Sequence, residues 1–312
     1  MKPRLLQHGR LPEHIEARLA EHFDVHPFWA EKDPAGYLAK HGGEFVALTA
    51  RAATGVDAAT IAALPALRVI SSFGVGLDKI DLDAARARGI AVGYTPDVLN
   101  DCVADTAFAL LMDAARQISA ADRYVRRGEW PKAPYPLTTR VSGKRLGIVG
   151  LGRIGHVIAK RSSGFDMEVR YFGRKPQEGV SYGFEPSIEA LASWADFLVL
   201  ATSGGPTTKH LVSASVLEAL GPKGYLINIA RGTVVDEAAL VDALANKRIA
   251  GAGLDVFENE PHVPEALFKL DNVVLLPHVA SGTHETRKAM ADLVFDNLQA
   301  FFETGKVLKS AV

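Results

Sequence analysis

Cysteine is nearly missing from this sequence: Cys102 stands alone among 312 residues. A single thiol makes neither an internal disulfide nor a cysteine metal cluster, and the length already excludes a stapled mini-protein. No uninterrupted apolar run approaches the ~20 residues that a membrane helix needs. The opening segment, MKPRLLQHGRLPEHIEARLAEHF, is charged throughout and lacks the apolar core of a signal peptide. Nor is there a surplus of either charge. Thirty-five basic against 36 acidic side chains leave a net −1, which gives no bulk attraction to nucleic acid or anionic lipid but allows a small basic pocket for one phosphate. Tandem repeats and low-complexity linkers are also missing. What remains, 48% hydrophobic and 23% charged residues, is the composition of an ordinary globular protein. At roughly 150 residues per domain the length implies about two domains, each able to bury a sizeable core. The expected partners are small molecules or other protein chains, and the expected location is the cytoplasm.

Up to about residue 97, β-rich runs (RLLQ, EFVALTA, LRVISSFG, IAVGYT) alternate with amphipathic stretches such as 12–22 and 81–88. That alternation predicts parallel strands joined by crossover helices. From 99 to 127, apolar residues at helical spacing without Pro or Gly predict one long helix or two abutting ones. A second alternation follows the turn-rich GEWPKAPYP, with strands expected near RLGIVG, EVRYF, DFLVLAT, GYLINI, GAGLDVF and NVVLLPH. Six strands in that pattern suggest a complete doubly wound nucleotide-binding domain. A final amphipathic helix is expected near 285–304.

Within RLGIVGLGRIGHVIAKR, Gly150, Gly152 and Gly155 form G-x-G-x-x-G directly after an apolar strand and before a helical segment. Gly150 suits the tight turn, Gly152 lets backbone approach a pyrophosphate, and Gly155 lets helix pack on strand, with Arg153 and Ile154 opening the helix. NAD-binding turns of this kind place an acid at the end of the second strand to hold the ribose hydroxyl. Here that place falls at YFGRK, where Gly173 is followed by Arg174 and Lys175. Cations in place of a carboxylate favour a 2′-phosphate, and hence NADP(H).

Three ionisable residues fall at the expected carboxyl ends of successive strands: Arg231 in INIARG, Glu260 in DVFENEP and His278 in LLPHVASGT. Reducing a carbonyl by hydride transfer needs a proton donor for the developing alkoxide and a cation for the substrate carboxylate. His278 and Arg231 fit those needs, and Glu260 would keep the imidazole protonated and fix its tautomer. Singly, Arg231 also reads as a capping or salt-bridging arginine, Glu260 as a solvated loop acid and His278 as a structural histidine. Their joint placement selects the catalytic reading. No third ligand at metal spacing accompanies the Glu-His pair, so no metal site is expected.

These motifs, with DRYVRRGEW, LINIARGTVVDE and ETRKAMADLV in the same order, resemble the D-isomer-specific 2-hydroxyacid dehydrogenases over nearly the whole length, most of all the NADPH-dependent glyoxylate/hydroxypyruvate and hydroxyphenylpyruvate reductase branch. The resemblance implies an α/β fold of two doubly wound parallel-sheet domains. A discontinuous flavodoxin-like substrate domain, 1–98 with 286–312, would carry an inserted Rossmann cofactor domain at 99–285. It further implies that Arg231 binds the 2-oxo acid, that His278 is the general acid of reduction and that Glu260 is its partner. Asp255 would hold the nicotinamide carboxamide with the Ala230 carbonyl nearby, and the backbone of Val75 and Gly76 in FGVGLD would receive the substrate carboxylate. Thr106 would lie beside the nicotinamide and Thr208 near the cofactor phosphates. Two departures bear on these contacts: VADTA replaces an acid-plus-histidine form, and TSGGPTT replaces a leucine-proline cofactor loop. Family members are usually homodimers embraced through the 99–127 segment. The activity expected is reduction of glyoxylate and hydroxypyruvate to glycolate and D-glycerate. Phenylpyruvates, 2-ketogluconate and a dinucleotide-sensing corepressor are the alternatives, whereas formate enzymes place glutamine at the position of Glu260.

Overall fold

The computed structural model describes residues 2–312. From the N-terminus, strands β1 (Arg4–Gln7), β2 (Asp24–Pro27), β3 (Ala47–Arg51), β4 (Val69–Phe73) and β5 (Ala91–Gly93) alternate with helices α1 (Glu13–His22), α2 (Pro34–His41), α3 (Ala58–Ala62) and α4 (Leu82–Ala87). Two helices follow, α5 (Asn100–Arg116) and α6 (Ile118–Arg126). The chain then runs through β6 (Arg145–Val149), α7 (Arg153–Ser162), β7 (Glu168–Phe172), β8 (Gly183–Phe184), α8 (Ile188–Trp194), β9 (Phe197–Leu200) and α9 (Ala214–Leu220). It continues with β10 (Tyr225–Asn228), α10 (Glu237–Ala245), β11 (Gly251–Leu254) and β12 (Val273–Leu275), and ends in α11 (His284–Thr304).

The chain divides into two compact units, 1–99 with 283–312, and 100–282. The resemblance implies joins at 98/99 and 285/286; the helices beyond them begin at Asn100 and, with Thr283 as N-cap, at His284. The Thr283 side chain accepts a hydrogen bond from the Thr286 amide, which fixes that start.

In the first unit the strand order is β2-β1-β3-β4-β5, all parallel. Strands β3 and β4 are buried almost throughout, as a sheet covered on both faces requires. Helix α11 lies on this sheet for an identifiable reason. Its buried Asn297 donates to the Tyr94 carbonyl at 3.1 Å and accepts from the Lys309 amide at 3.0 Å, while Ser71 of β4 donates to the Val294 carbonyl at 2.9 Å. Strand β2, DVHP, was not expected: it is a half-exposed edge strand without an apolar run, so it leaves no periodic trace.

The second unit has the order β12-β11-β10-β9-β6-β7-β8, again parallel throughout. Six of its strands are those expected, and the two-residue β8 extends the edge. Its core gathers Leu198, Leu200, Leu226, Ala252 and Leu254 from the central strands. Of the two readings of the 99–127 segment, two abutting helices is the observed one. Gln117 between them takes a left-handed conformation, φ 52°, and Asp113 accepts from the Ser119 amide at 2.8 Å to secure the new start. Among the described residues no helix is long and apolar enough to cross a membrane.

Candidate active site

The glycine turn is built as its spacing requires. Gly150 adopts φ 94°, and a Cβ on it would come within 2.8 Å of Thr202 Cα; one on Gly155 would lie 2.3 Å from the Gly150 carbonyl oxygen. Only glycine allows that contact between α7 and β6. Gly152, the N-cap of α7, differs: nothing stands within 4 Å of where its Cβ would be, and no side chain caps the helix there. Exposed main-chain amides at an uncapped helix start, beside Arg153 and Ile154, fit a pyrophosphate. The YFGRK loop folds back on this turn. Gln177 donates its side-chain amide to the Leu151 carbonyl at 2.8 Å and its main-chain amide to the Tyr171 hydroxyl at 2.7 Å. This holds Gly173, Arg174 and Lys175 beside the turn, with both cations exposed.

Arg231, Glu260 and His278 lie in loops that follow β10, β11 and β12, at the carboxyl ends of adjacent strands. His278 Nδ1 is 2.7 Å from Glu260 Oε2, while Glu260 Oε1 accepts from the Phe257 amide at 3.1 Å. Burial raises the affinity of Glu260 for a proton, but the hydrogen bond and charge of His278, the Phe257 amide and the Arg231 charge together outweigh it. The carboxyl is therefore held below its ordinary range and stays ionised against the imidazole. His278 is left-handed at φ 54°, and its amide donates to the Asp255 carbonyl at 2.8 Å.

Gly232 explains how two separate loops come together. A Cβ there would sit 1.8 Å from the Phe257 carbonyl carbon and 2.2 Å from the Glu258 amide nitrogen. The ARG and DVFE segments thus pass in backbone contact, which carries Arg231 toward Glu260. Asn228 reinforces the first loop, donating to the Arg231 carbonyl and accepting from the Ala230 amide, both at 3.0 Å. The Arg231 guanidinium donates to the Ala230 carbonyl at 2.8 Å.

The other expected contacts have their own partners. Buried Asp255 accepts from the Val279 amide at 2.7 Å and the Ala280 amide at 2.9 Å, one on each oxygen. It therefore fixes the loop that presents His278. Burial is the main influence on its carboxyl and leaves it above the ordinary value despite those two donors. Thr106 donates to the carbonyls of Cys102 and Ala280, and Thr208 to those of Ser203 and Gly205. Val75 and Gly76 follow β4 in the first unit. Among the described residues, no group of three or more His, Cys, Asp or Glu could hold a metal ion.

One support escaped the motif reading. His210 Nε2 is 2.9 Å from Glu258 Oε1, and the Glu258 amide donates to Glu237 at 3.0 Å. Together these pin the start of the ENEP loop. Glu237, in the first turn of α10, was visible only as part of TVVDE.

With this geometry in place, likeness to known proteins is decisive. Residues 108–280 match the family model of the D-isomer specific 2-hydroxyacid dehydrogenase NAD binding domain. The chain is 49% identical to hydroxyphenylpyruvate reductase of Plectranthus scutellarioides over 96% of its own length and 95% of the relative's. It is 48% identical to glyoxylate/hydroxypyruvate reductase A of Arabidopsis thaliana, over 97% and 96%. Among solved structures, an NADPH-dependent glyoxylate/hydroxypyruvate reductase of Sinorhizobium meliloti, in complex with NADP and malonate, superimposes with a TM-score of 0.92 at 42% identity, covering 100% of this chain and 97% of that one. The chain belongs to the D-isomer-specific 2-hydroxyacid dehydrogenase family. It is an oxidoreductase of the nicotinamide-nucleotide type.

Proposed function

We propose that this protein uses NADPH to reduce short 2-oxo acids, glyoxylate and hydroxypyruvate among them, to the D-2-hydroxy acids. The observation that carries the reading is the 2.7 Å contact between His278 and an ionised Glu260, with Arg231 brought alongside by Gly232. A nicotinamide nucleotide, when bound, supplies the hydride that reaches the carbonyl carbon. Nε2 of His278 donates a proton to the carbonyl oxygen as negative charge grows there, and Glu260 compensates the imidazolium from Nδ1 until that moment. Arg231 orients the acid by a two-point contact with its carboxylate, and the main-chain amides of Val75 and Gly76 are assigned that same carboxylate on the strength of the FGVGLD motif.

The amides at Gly152, Arg153 and Ile154 would hold the pyrophosphate. Arg174 and Lys175 would take the 2′-phosphate, a preference shared with the Sinorhizobium reductase that binds NADP. Thr106, Thr208, Ala230 and Asp255 complete the proposed cofactor wall.

Initial rates with NADPH and NADH across glyoxylate, hydroxypyruvate, phenylpyruvate, pyruvate and 2-ketogluconate test the reading. Faster turnover with NADPH, led by glyoxylate or hydroxypyruvate, is expected. In Arg174→Ser/Lys175→Ser that preference should collapse while NADH rates hold. No consumption with any acid would overturn the reading in favour of a dinucleotide-sensing protein.

The assembly proposed is a homodimer. Its support is a set of large apolar side chains left open to solvent, Ile118 and Val125 of α6 with Trp130 and Leu137 beyond it.

A further inference from the structure

The FGVGLD segment, 73–78, is open in its middle and fastened at its ends. Val75, Gly76 and Leu77 are half-buried. At the far end the Val56 amide donates to the Lys79 carbonyl and the Val56 carbonyl accepts from the Asp81 amide, both at 2.9 Å, while the Lys79 ammonium donates to the Ala53 carbonyl at 2.9 Å. At the near end Gly74 is buried with φ 144°, and a Cβ on it would stand 2.5 Å from the Ala52 Cβ. Only glycine fits there. Its amide, taken out of water, needs an acceptor, and a side chain supplies it: the Gly74 amide donates to Thr95 Oγ1 at 3.0 Å. The Thr95 amide donates in return to the Gly74 carbonyl at 3.1 Å.

Thr95 is itself firmly held. It lies fully buried just beyond β5, and Pro96 after it favours an extended backbone at this position. The residue before it is secured through both main-chain groups: the Tyr94 amide donates to the Lys309 carbonyl at 3.2 Å, and the Tyr94 carbonyl accepts from the Asn297 side chain of α11 at 3.1 Å. The same Asn297 accepts from the Lys309 amide at 3.0 Å. The C-terminal segment thus braces the end of β5, and Thr95 passes that brace to the residue immediately before Val75. Packing alone would be served by valine, which has the same shape and buries no hydroxyl. What threonine adds is the acceptor.

We propose that Thr95 is a positioning residue for the 2-oxo acid: by accepting from the Gly74 amide it fixes the backbone that presents the Val75 and Gly76 amides, so that substrate affinity depends on its hydroxyl. The proposal rests on the reductase reading and deepens it. Main-chain donors cannot be re-aimed by rotating a side chain, and a displacement of about 1 Å takes a hydrogen bond out of its effective range. Contacts to the substrate carboxylate are made before and during hydride transfer alike, so their loss shows as a raised KM rather than a lowered kcat.

The measurement is KM and kcat for glyoxylate and hydroxypyruvate, with NADPH, in Thr95→Val, which keeps the shape and removes the acceptor, and in Thr95→Ser, which keeps the acceptor and removes a methyl group. Thr95→Val should raise both KM values roughly tenfold, the worth of one charge-assisted contact. Its kcat should stay within about twofold of the wild type, and its NADPH dissociation constant, from fluorescence titration, should not move. Thr95→Ser should keep a KM near that of the wild type even as its Tm falls with the lost methyl. A wild-type KM in Thr95→Val, or an equal rise in Thr95→Ser, overturns the proposal and leaves Thr95 a packing residue. Hydrogen exchange of the peptide covering 73–78 is a readout independent of turnover: faster exchange in Thr95→Val than in Thr95→Ser is expected, and equal exchange overturns the proposal. Should Thr95→Val fail to fold, Thr95→Ala set against Thr95→Ser, a pair that differs only in the hydroxyl, decides between the same two outcomes. If the wild type reduces no 2-oxo acid, the reductase reading has failed and the proposal falls with it, a result that the wild-type rates alone reveal.

Discussion

At the scale of single residues, the site depends on two carboxyl groups pushed in opposite directions. Glu260 is held ionised against His278, which favours the imidazolium that protonates the substrate. Glu260→Gln keeps the shape and removes the charge. We expect kcat for reduction to fall while nucleotide affinity holds, because the neutral amide no longer compensates the charge on the imidazole; an unchanged kcat would refute the pairing. Removing the imidazole should be more severe, with His278→Ala lowering kcat by roughly 10²- to 10⁴-fold while nucleotide affinity, measured by fluorescence titration, stays close to that of the wild type. Asp255 is the opposite case. Its buried carboxyl keeps a proton to higher pH than the ordinary 3.8, so the folded state binds more protons than the unfolded one just above that value. Stability then falls as pH rises from 3.8 through the folded value and is level beyond it. Asp255→Asn abolishes this slope, at the cost of one main-chain contact. The Tm of the variant relative to wild type should therefore climb across that window, and a constant difference would contradict the assignment.

Elements, not residues, bring the site together, and two glycines separate the contributions. Gly232→Ala would force a Cβ against the Phe257 carbonyl carbon. The ARG and ENEP loops must part, at about 1–3 kcal/mol, and both Tm and kcat should drop. Gly152→Ala meets no protein atom within 4 Å; Tm should hold while nucleotide binding weakens, because the added methyl stands where a pyrophosphate would approach. If Gly152→Ala lowered Tm and spared nucleotide affinity in the folded protein, the turn would be structural. The same contrast shows what a linear sequence reveals. Strong punctuation made the glycine turn, the crossover alternation and the three strand-end residues legible. The clamp made by His210, Glu258 and Glu237 was not, because its members stand far apart in the chain and belong to no local pattern. Gln117 likewise carries no Gly or Pro signal, and its left-handed backbone shows only once Asp113 and Ser119 are seen to meet. Composition offered no hint that α11 rejoins the first unit; that followed from resemblance alone, and the hydrogen bonds of Asn297 supply the physical cause.

At the scale of the whole molecule, a near-neutral chain cannot rely on net charge to keep apolar surface apart from other copies. Helix α6 buries none of its own residues, although its apolar and charged positions fall on different faces. Ile118 is 51% exposed, Val125 54%, Trp130 66%, and Leu137 projects fully into solvent. Ile118 and Val125, seven positions apart, share one face of α6, and large apolar side chains left exposed on one face mark a protein interface more often than a free surface. A second copy of the chain is the proposed cover, since one two-fold contact buries the same patch on both partners. Light scattering behind a sizing column should give twice the chain mass for the wild type. Trp130→Ser with Leu137→Ser should shift the equilibrium toward the single chain, with a lower Tm at low protein concentration, as expected when association supports folding. A wild type that runs as one chain at every concentration would rule the homodimer out and leave this patch to a different protein.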